Sequence, residues 1–402
     1  SGEVIGRGKV HYDSGNYAEA IKEFQKVPER DTNYVLMLAE TALTYLAAEQ
    51  YDEALTLCEK GLAKPSPYAP SFYRYRAIAE DKKGNLDQSV KRFEEAIAKY
   101  PADYGLLYNL GVTYYNNGQH EKAAKVFFDV LSFNPFHSGS HLNLGRIAVG
   151  QGRKTHAMLS LGMYLSVSNS DNSRLVLLNN FLDNQVSDEG SIPLFGVNEA
   201  EKMDQIIRAK IAMEKNFKSE IPVNAAVVRQ YELFFQQLSL IGNDQGDPWV
   251  KMYMPIYRSM QQNGEAETFI YYLLSSSSNA AVKKWLSKNK KTLDAFFASV
   301  NSAIKKQRDV VSLAQFGYAK PVQAWYYNDN TLSALGEYTS NEIRKGQWKF
   351  YHPNHVESAE GMYNDSGKKT GLWKYYNKDG TLKTLEDYNT GEVIVHYPDG
   401  TR

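Results

Sequence analysis

Small and apolar residues recur with a period close to 34 from the start of the chain to about residue 170. Ala20, Ala54, Ser89, Ala123 and Ala157 form one column, at successive spacings of 34, 35, 34 and 34. An apolar residue follows each of them by four positions, and a small residue precedes each by twelve. Those columns hold Phe24, Cys58, Phe93, Phe127 and Leu161, and Gly8, Ala42, Ala77, Gly111 and Gly145. Small residues allow helices to cross closely, so the period predicts repeated helix pairs.

The fourth of these units carries the fullest pattern. It contains Leu107, Leu110, Gly111, Tyr114, Gly118, Ala123, Phe127 and Pro135. This set resembles the tetratricopeptide repeat, a 34-residue helix-turn-helix unit. Other units depart from it, with Arg7 at a usual leucine, Glu49 at the turn glycine and no closing proline in the fifth. The resemblance implies five antiparallel helix pairs stacked in a right-handed superhelix over residues 1–170.

The next segment, residues 171–317, has helical periodicity without the longer repeat. Apolar residues at three and four spacing predict helices over 173–184, 198–217, 223–241, 248–262 and 283–307. We expect this region to extend or cap the array, because the last repeat has an apolar face to cover.

The last segment, residues 318–402, has a strand pattern instead. Trp325, Trp348 and Trp373 recur at intervals of 23 and 25, and Asp379-Gly380 is typical of a tight hairpin turn. The series G-x-W-x-x-Y, then D-G or N-x-x-G, then E-x-x-Y resembles MORN-type repeats, including those of YwqK-type antitoxins. An antiparallel β module is therefore expected, with buried tryptophans. We expect an outward row of tyrosines that includes Tyr326, Tyr338, Tyr363 and Tyr375. The predicted fold class is mainly α, a solenoid with further helices and this small sheet.

Charge and composition narrow the classes of function. The 402 residues hold 46 Lys plus Arg and 46 Asp plus Glu, so no net field favours nucleic acid or an anionic membrane. The single cysteine, Cys58, excludes an intramolecular disulfide and zinc sites that need several thiolates. No apolar run reaches the roughly 20 residues of a membrane helix. The chain starts at Ser1 rather than Met, so we expect a processed or trimmed N-terminus that hides any signal or lipid anchor.

Motifs for catalysis are missing from the sequence. There is no phosphate-binding G-x-x-x-x-G-K-[ST], no H-E-x-x-H and no G-x-S-x-G. His137 and His141 do not share a helical face in this register, and His352 and His355 lie beside Pro353 in a strand or turn. Cys58 occupies an apolar column, which favours a buried inert thiol. We therefore predict no catalytic, cofactor-binding or metal-binding residue.

The resemblance to tetratricopeptide repeats implies a groove lined by the first helix of each pair. Family members hold a peptide's terminal carboxylate there through Lys, Arg and Asn. At matching positions stand Lys9, Tyr12, Arg74, Asp81, Lys82, Tyr108, Tyr115, Asn116 and Arg146, and one further position of the repeat adds Asn109 and Asn143. The second unit contributes only Leu36, Ala39 and Leu43, so the full clamp is not reproduced. A hydrated groove that binds nothing tightly is the alternative.

These patterns predict a non-enzymatic scaffold that holds a protein or peptide partner. Repeat arrays build extended surfaces, and neither repeat type supplies a catalytic constellation. By analogy with modular proteins of the Bacteroidota, we expect a bacterial periplasmic or outer-membrane-associated protein in an envelope assembly or secretion complex. Two alternatives remain open, namely an antitoxin or immunity protein, and a hydrolase with a site between the helical and β regions.

Overall fold

The structure, a computed structural model, describes residues 1–168, 171–183, 199–208, 217–240, 242, 246–307, 322–329, 331–339 and 343–395. The chain divides into two units. The first contains residues 1–119 together with residues from 309 onward, and the second contains residues 120–308. The division of the sequence at residues 170 and 318 stays a prediction.

The helical part of the first unit contains paired helices at the predicted period. They are α1 (Gly2–Asp13), α2 (Tyr17–Phe24), α3 (Tyr34–Ala47), α4 (Tyr51–Leu62), α5 (Ala69–Lys82), α6 (Leu86–Lys99) and α7 (Tyr104–Asn116). Gly15, Gly84 and Gly118 turn the chain after a first helix with φ of 75°, 84° and 73°. Glu49 holds the corresponding place in the second pair with φ of 60°, a conformation that usually favours glycine. The helix pairs predicted from the repeat are confirmed.

The columns of the repeat form the helix crossings. Ala20, Ala54 and Ser89 are fully buried, as are Phe24 and Cys58 from the apolar column. Ser89 stands in a column that otherwise holds alanine. Its hydroxyl group donates a 2.9 Å hydrogen bond to the carbonyl oxygen of Ala77 on α5. A buried hydroxyl is tolerated there because it has this partner.

Two glycines on α1 give the crossing a direct test. A Cβ atom at Gly8 would lie 2.3 Å from the Phe24 ring, whereas a Cβ at Gly6 would meet nothing within 4 Å. We expect Gly8→Ala to destabilise the protein by about 1–3 kcal/mol through overpacking. Gly6→Ala should stabilise it by up to about 1 kcal/mol, because alanine is the better helix former. Urea unfolding of the two variants measures this, and the opposite order of stability would refute the register of the repeat.

The strands of the first unit form one antiparallel sheet with neighbours in chain order. They are β1 (Gln323–Tyr326), β2 (Leu332–Tyr338), β3 (Arg344–Tyr351), β4 (Glu357–Tyr363), β5 (Lys369–Tyr376), β6 (Leu382–Asp387) and β7 (Glu392–Val395). Sequential hairpins produce this order, as the turn signals predicted.

A tryptophan on a glycine is the repeated packing unit of the sheet. Trp348 lies on Gly336 and Trp373 lies on Gly361, and a Cβ at either glycine would come within 2.2–2.3 Å of the indole. Trp348 and Trp373 are buried, at 0% and 1% exposure. The expectation of buried tryptophans is confirmed for these two, and Trp325 is half-buried.

The expected outward row of tyrosines is wrong for Tyr338, Tyr363 and Tyr375, which pack in the same cluster as the tryptophans. Tyr363 follows Gly361 by two residues, and Tyr375 follows Trp373 by two. Side chains two apart along a strand share a face. These tyrosines therefore belong to the core of the sheet. Tyr326 is half-buried.

The second unit is helical in its described residues. Its helices are α8 (His120–Phe133), α9 (Ser138–Gly150), α10 (Lys154–Val167), α11 (Asn172–Asp183), α12 (Glu199–Arg208), α13 (Ala226–Gln237), α14 (Pro248–Gln262), α15 (Ala266–Leu273), α16 (Ala280–Lys288) and α17 (Lys290–Lys306). The stretch predicted as one helix over 283–307 is two helices that meet at Asn289. Helix α15 was not predicted, because its eight residues are too short for a clear period.

Helix α10 forms the centre of the second unit. It packs against α9, α11, α12, α14 and α15. Its polar residues are buried with partners: the His156 ring nitrogen Nε2 lies 2.8 Å from Asp247, and the Thr155 amide donates to Asp204. The region after residue 170 thus surrounds the last predicted repeat helix on several sides, which is consistent with a capping role.

Candidate functional site

The first helices of the first unit form one continuous face, because α1 contacts α3, α3 contacts α5 and α5 contacts α7. This is the face on which the groove residues were predicted. Some of its polar side chains bond to a neighbouring helix, and others lie at the surface.

At the α1 end, Lys9 donates to Glu40 of α3 with a Nζ to Oε1 distance of 2.7 Å. The Lys9 side chain is 48% exposed, so this ion pair contributes little to stability. Tyr12 packs on Tyr17 with ring centroids 5.6 Å apart. Partial burial and the nearby Tyr17, Asp13 and Glu40 raise the pKa of the Tyr12 hydroxyl, so it stays a neutral hydrogen-bonding group.

Arg74 of α5 reaches the start of α7. Its Nη2 atom lies 2.6 Å from Asp103 Oδ2, and Asp103 is only 1% exposed. The other carboxylate oxygen of Asp103 accepts the backbone N–H of Gly105 at 2.9 Å and so caps α7. Arg74 therefore holds a buried N-terminal cap in place, a role that the sequence did not reveal.

Helix α7 supplies tyrosines and asparagines to the face. Asn109 Nδ2 donates to the carbonyl oxygen of Gly105 at 2.7 Å, within its own helix. Asn116 is exposed, and Tyr108 and Tyr115 are half-buried. Asp81 of α5 accepts a 3.1 Å hydrogen bond from Asn117, the residue after α7. Amphipathic rings beside an amide suit contact with a peptide backbone and its side chains.

Asn143 and Arg146 lie on α9 in the second unit. Arg146 Nη1 donates to Asn143 Oδ1 at 3.3 Å, and Asn143 is 5% exposed. Asn143 and Arg146 therefore lie together. Arg74 lies elsewhere, at the N-terminus of α7, where Asn109 donates a hydrogen bond to Gly105. Their convergence on one ligand segment, across the two units, stays a prediction.

His352 and His355 have hydrogen-bond partners, and Cys58 is buried. His352 Nε2 lies 3.0 Å from the carbonyl oxygen of Tyr376, and His355 Nδ1 lies 3.2 Å from that of Ala102. Within the described residues no cluster of three or more His, Cys, Asp or Glu side chains has the geometry to hold a metal ion. Cys58 is fully buried, and burial raises the pKa of its thiol to about 12, as expected of an inert cysteine.

The sheet is anchored to the helices through the β3–β4 turn, which sequence reasoning missed. Asn354 Nδ2 donates to the carbonyl oxygens of Pro67 and Lys378, at 3.0 and 2.8 Å. His355 packs edge-on against Tyr104, at 5.9 Å between ring centroids, and adopts a φ of 65°. The left-handed backbone of His355 marks this turn in the structure. A φ angle cannot be read from the sequence, so no local signal pointed to this contact.

None of the helices among the described residues combines the length and the apolar character that crossing a bilayer requires.

Comparison with known proteins identifies the helical repeat. Residues 5–70 and 75–138 match the family model described as tetratricopeptide repeat. A photosystem I assembly protein Ycf3 of Dioscorea elephantipes is 32% identical over 89 residues, which are 21% of this chain and 51% of that protein. Its counterpart in Prochlorococcus marinus (strain MIT 9211) is 26% identical over 110 residues, or 25% of this chain and 64% of that one. The chain thus spans about half to under two thirds of these relatives.

Among solved structures, a thermophilic TPR protein of Thermus thermophilus is similar, at 20% identity and a TM-score of 0.39. The similarity covers 45% of this chain and 98% of that chain.

Proposed function

We propose that this chain, whose residues 5–70 and 75–138 match tetratricopeptide repeats, is a non-catalytic scaffold that holds a protein or peptide partner. The observation that carries the proposal is the continuous face of α1, α3, α5 and α7, which presents half-buried tyrosines beside the exposed amide of Asn116. Tyrosine gives a large contact area at a small cost in side-chain entropy, and amides pair with peptide groups.

The relatives support this role. Two of them are named as assembly proteins of photosystem I, and an assembly factor must hold other proteins. The similarity to them covers at most a quarter of this chain, so their names do not identify the partner of this protein.

The face is tested by crosslinking from a single position. Asn116→p-benzoylphenylalanine places a photoreactive group on the exposed end of α7, and the same replacement at Lys91, exposed on α6, is the matched control. We expect irradiation in the native cell to join one reproducible protein to position 116 and not to position 91. The proposal fails if no partner is captured reproducibly or if both positions capture the same proteins equally.

The sheet and the location of the protein complete the proposal. We propose that residues 318–402 are MORN-type repeats, which the recurrence of glycine under tryptophan supports. Membership of a bacterial envelope complex is proposed from the combination of the two repeat types. Fractionation of the native cells, with detection by antibody, tests the location, and recovery only in the cytosolic fraction would contradict it.

A further inference from the structure

A second candidate site, a cleft, lies within the first unit, where the sheet meets the helices. It is a cleft of about 510 Å³. One wall consists of the end of α4, the start of α5 and the end of α6, and the other consists of β3, β4, β5 and the turn after β5. This volume falls in the range of ligand-binding clefts, roughly 300–1,000 Å³. None of the predicted groove residues lines it.

The helical wall is basic and aromatic. Lys64 and Lys99 are exposed at its surface, and no carboxylate of the described residues forms an ion pair with either. The Lys99 ammonium group is held by the Tyr73 hydroxyl at 3.1 Å, and it lies 5.1 and 5.8 Å from the ring centroids of Tyr73 and Tyr100. Burial and the nearby Tyr73 raise the pKa of Tyr100 to about 12, so this hydroxyl adds no negative charge. The wall thus presents two positive charges, and that of Lys99 lies beside two tyrosine rings.

The strands of the sheet wall carry balanced charges, whereas the turn after β5 adds one negative charge. Lys349 lies 3.4 Å from Glu357 and 3.8 Å from Glu360, and Lys374 lies 2.7 Å from Glu360. Two lysines and two glutamates therefore balance in charge. Asp379, in the turn after β5, accepts hydrogen bonds from the amide and the hydroxyl of Thr381. Its negative charge has no cation among the described residues.

We propose that this cleft binds a peptide through one carboxylate group, with Lys64 and Lys99 as the recognising cations. No carboxylate of the described residues balances the positive charges of these two lysines. A carboxylate of the ligand would form charge-assisted hydrogen bonds with them. The tyrosine rings beside Lys99 offer an apolar surface to the neighbouring residues of the peptide. The choice of a peptide rests on the proposed scaffold function, whereas the choice of a carboxylate rests on the lining alone.

The opposite wall discriminates against more highly charged anions. Glu357, Glu360 and Asp379 all line the cleft. Lys349 and Lys374 balance the charges of the two glutamates, but a phosphate group with close to two negative charges would be repelled by the unbalanced carboxylate of Asp379. A single carboxylate on a chain of neutral peptide groups meets less repulsion, and its backbone N–H groups have acceptors on the acidic wall. The lining therefore favours an acidic residue or a C-terminal carboxylate over a phosphorylated partner.

Ligand-observed NMR titration with the full chain tests the site. The probes are octapeptides of Gly and Ser with two central residues varied: two Glu with an amidated C-terminus, two Gln with an amidated C-terminus, two Gln with a free C-terminus, and two phosphoserines with an amidated C-terminus. We expect the Glu peptide, the free C-terminal peptide, or both, to bind at least about fivefold more tightly than the neutral amide, as ion pairs to two exposed lysines allow. The probe that gains affinity identifies the source of the carboxylate.

The Lys64→Gln, Lys99→Gln double variant should lose that gain. The matched control is Lys283→Gln, Lys284→Gln on α16, which removes the same charge from exposed positions of the second unit. Circular dichroism confirms that both are folded. The proposal is overturned if the cleft variant binds like the wild type, if the control loses as much affinity, if no carboxylate peptide exceeds the neutral one, or if the phosphoserine peptide binds most tightly. Because the crosslink from Asn116 is on a different surface, failure here leaves the scaffold proposal standing.

Discussion

Replacing Trp348 with alanine is expected to cost about 3–5 kcal/mol of stability, the range for removing a fully buried aromatic side chain. The indole is 0% exposed and covers Gly336. Its Nε1 atom donates to the carbonyl oxygens of Glu337 and Lys345, at 3.2 and 3.1 Å. Alanine would leave a cavity on the aromatic face of the sheet above Gly336 and would remove this donor.

Trp325→Ala is the matched control for this experiment. Trp325 stacks on Trp348 with ring centroids 4.9 Å apart, but it is only half-buried on the first strand. Less area is lost there, so we expect a clearly smaller loss of stability. Hydrogen exchange resolved to individual segments measures the effect in the sheet and in the helices separately. Equal losses of stability in the two variants would contradict the prediction that a tryptophan packed on a glycine contributes more to the stability of the sheet.

Acidification is expected to destabilise the second unit through His141. This side chain is 1% exposed, with its ring nitrogens 2.8 Å from the Tyr253 hydroxyl and 2.9 Å from the carbonyl oxygen of Pro135. Burial, with a smaller effect from His137, lowers the pKa of His141 to about 4 from 6.5. The unfolded chain therefore binds a proton at a pH where the folded chain does not, and stability falls as the pH drops from 6.5 to 4. The full effect is about 3 kcal/mol.

The comparison of variants isolates this residue from other groups that titrate in the same range, such as His137, whose pKa burial also lowers to about 4. His141→Gln should be less stable than the wild type at pH 7 but should lose less stability between pH 6.5 and 4. His120→Gln, at an exposed position of the same unit, should keep the wild-type dependence on pH. Urea unfolding at a series of pH values supplies the measurement, and parallel curves for His141→Gln and the wild type would contradict the assignment.

The candidate face was partly visible in the sequence, because the repeat register identifies which residues of a first helix lie on one side. Asn116 is exposed there, as expected for a groove residue. The register could not show that Arg74 would form an ion pair with Asp103, 29 residues later, because that contact depends on how two repeats stack. The cleft with Lys64 and Lys99 was not predicted at all. Its walls come from distant parts of the chain, and no local pattern records their meeting.

The sequence by itself determined what depends on local period. Small side chains recur once in each repeat where helices must cross, so Ala20, Ala54 and Ser89 disclosed the helix pairs, and recurrent tryptophans disclosed the hairpins. Tertiary structure alone decided which strand face collects the aromatic rings and how Asn354 and His355 attach the sheet to the helices. It also decided which lysines have no carboxylate partner among the residues that the structure describes. The physical reason is that helices and hairpins are stabilised by contacts between near neighbours in the chain, whereas docking of a sheet on a helical array is decided by contacts between distant residues whose pairing leaves no periodic trace.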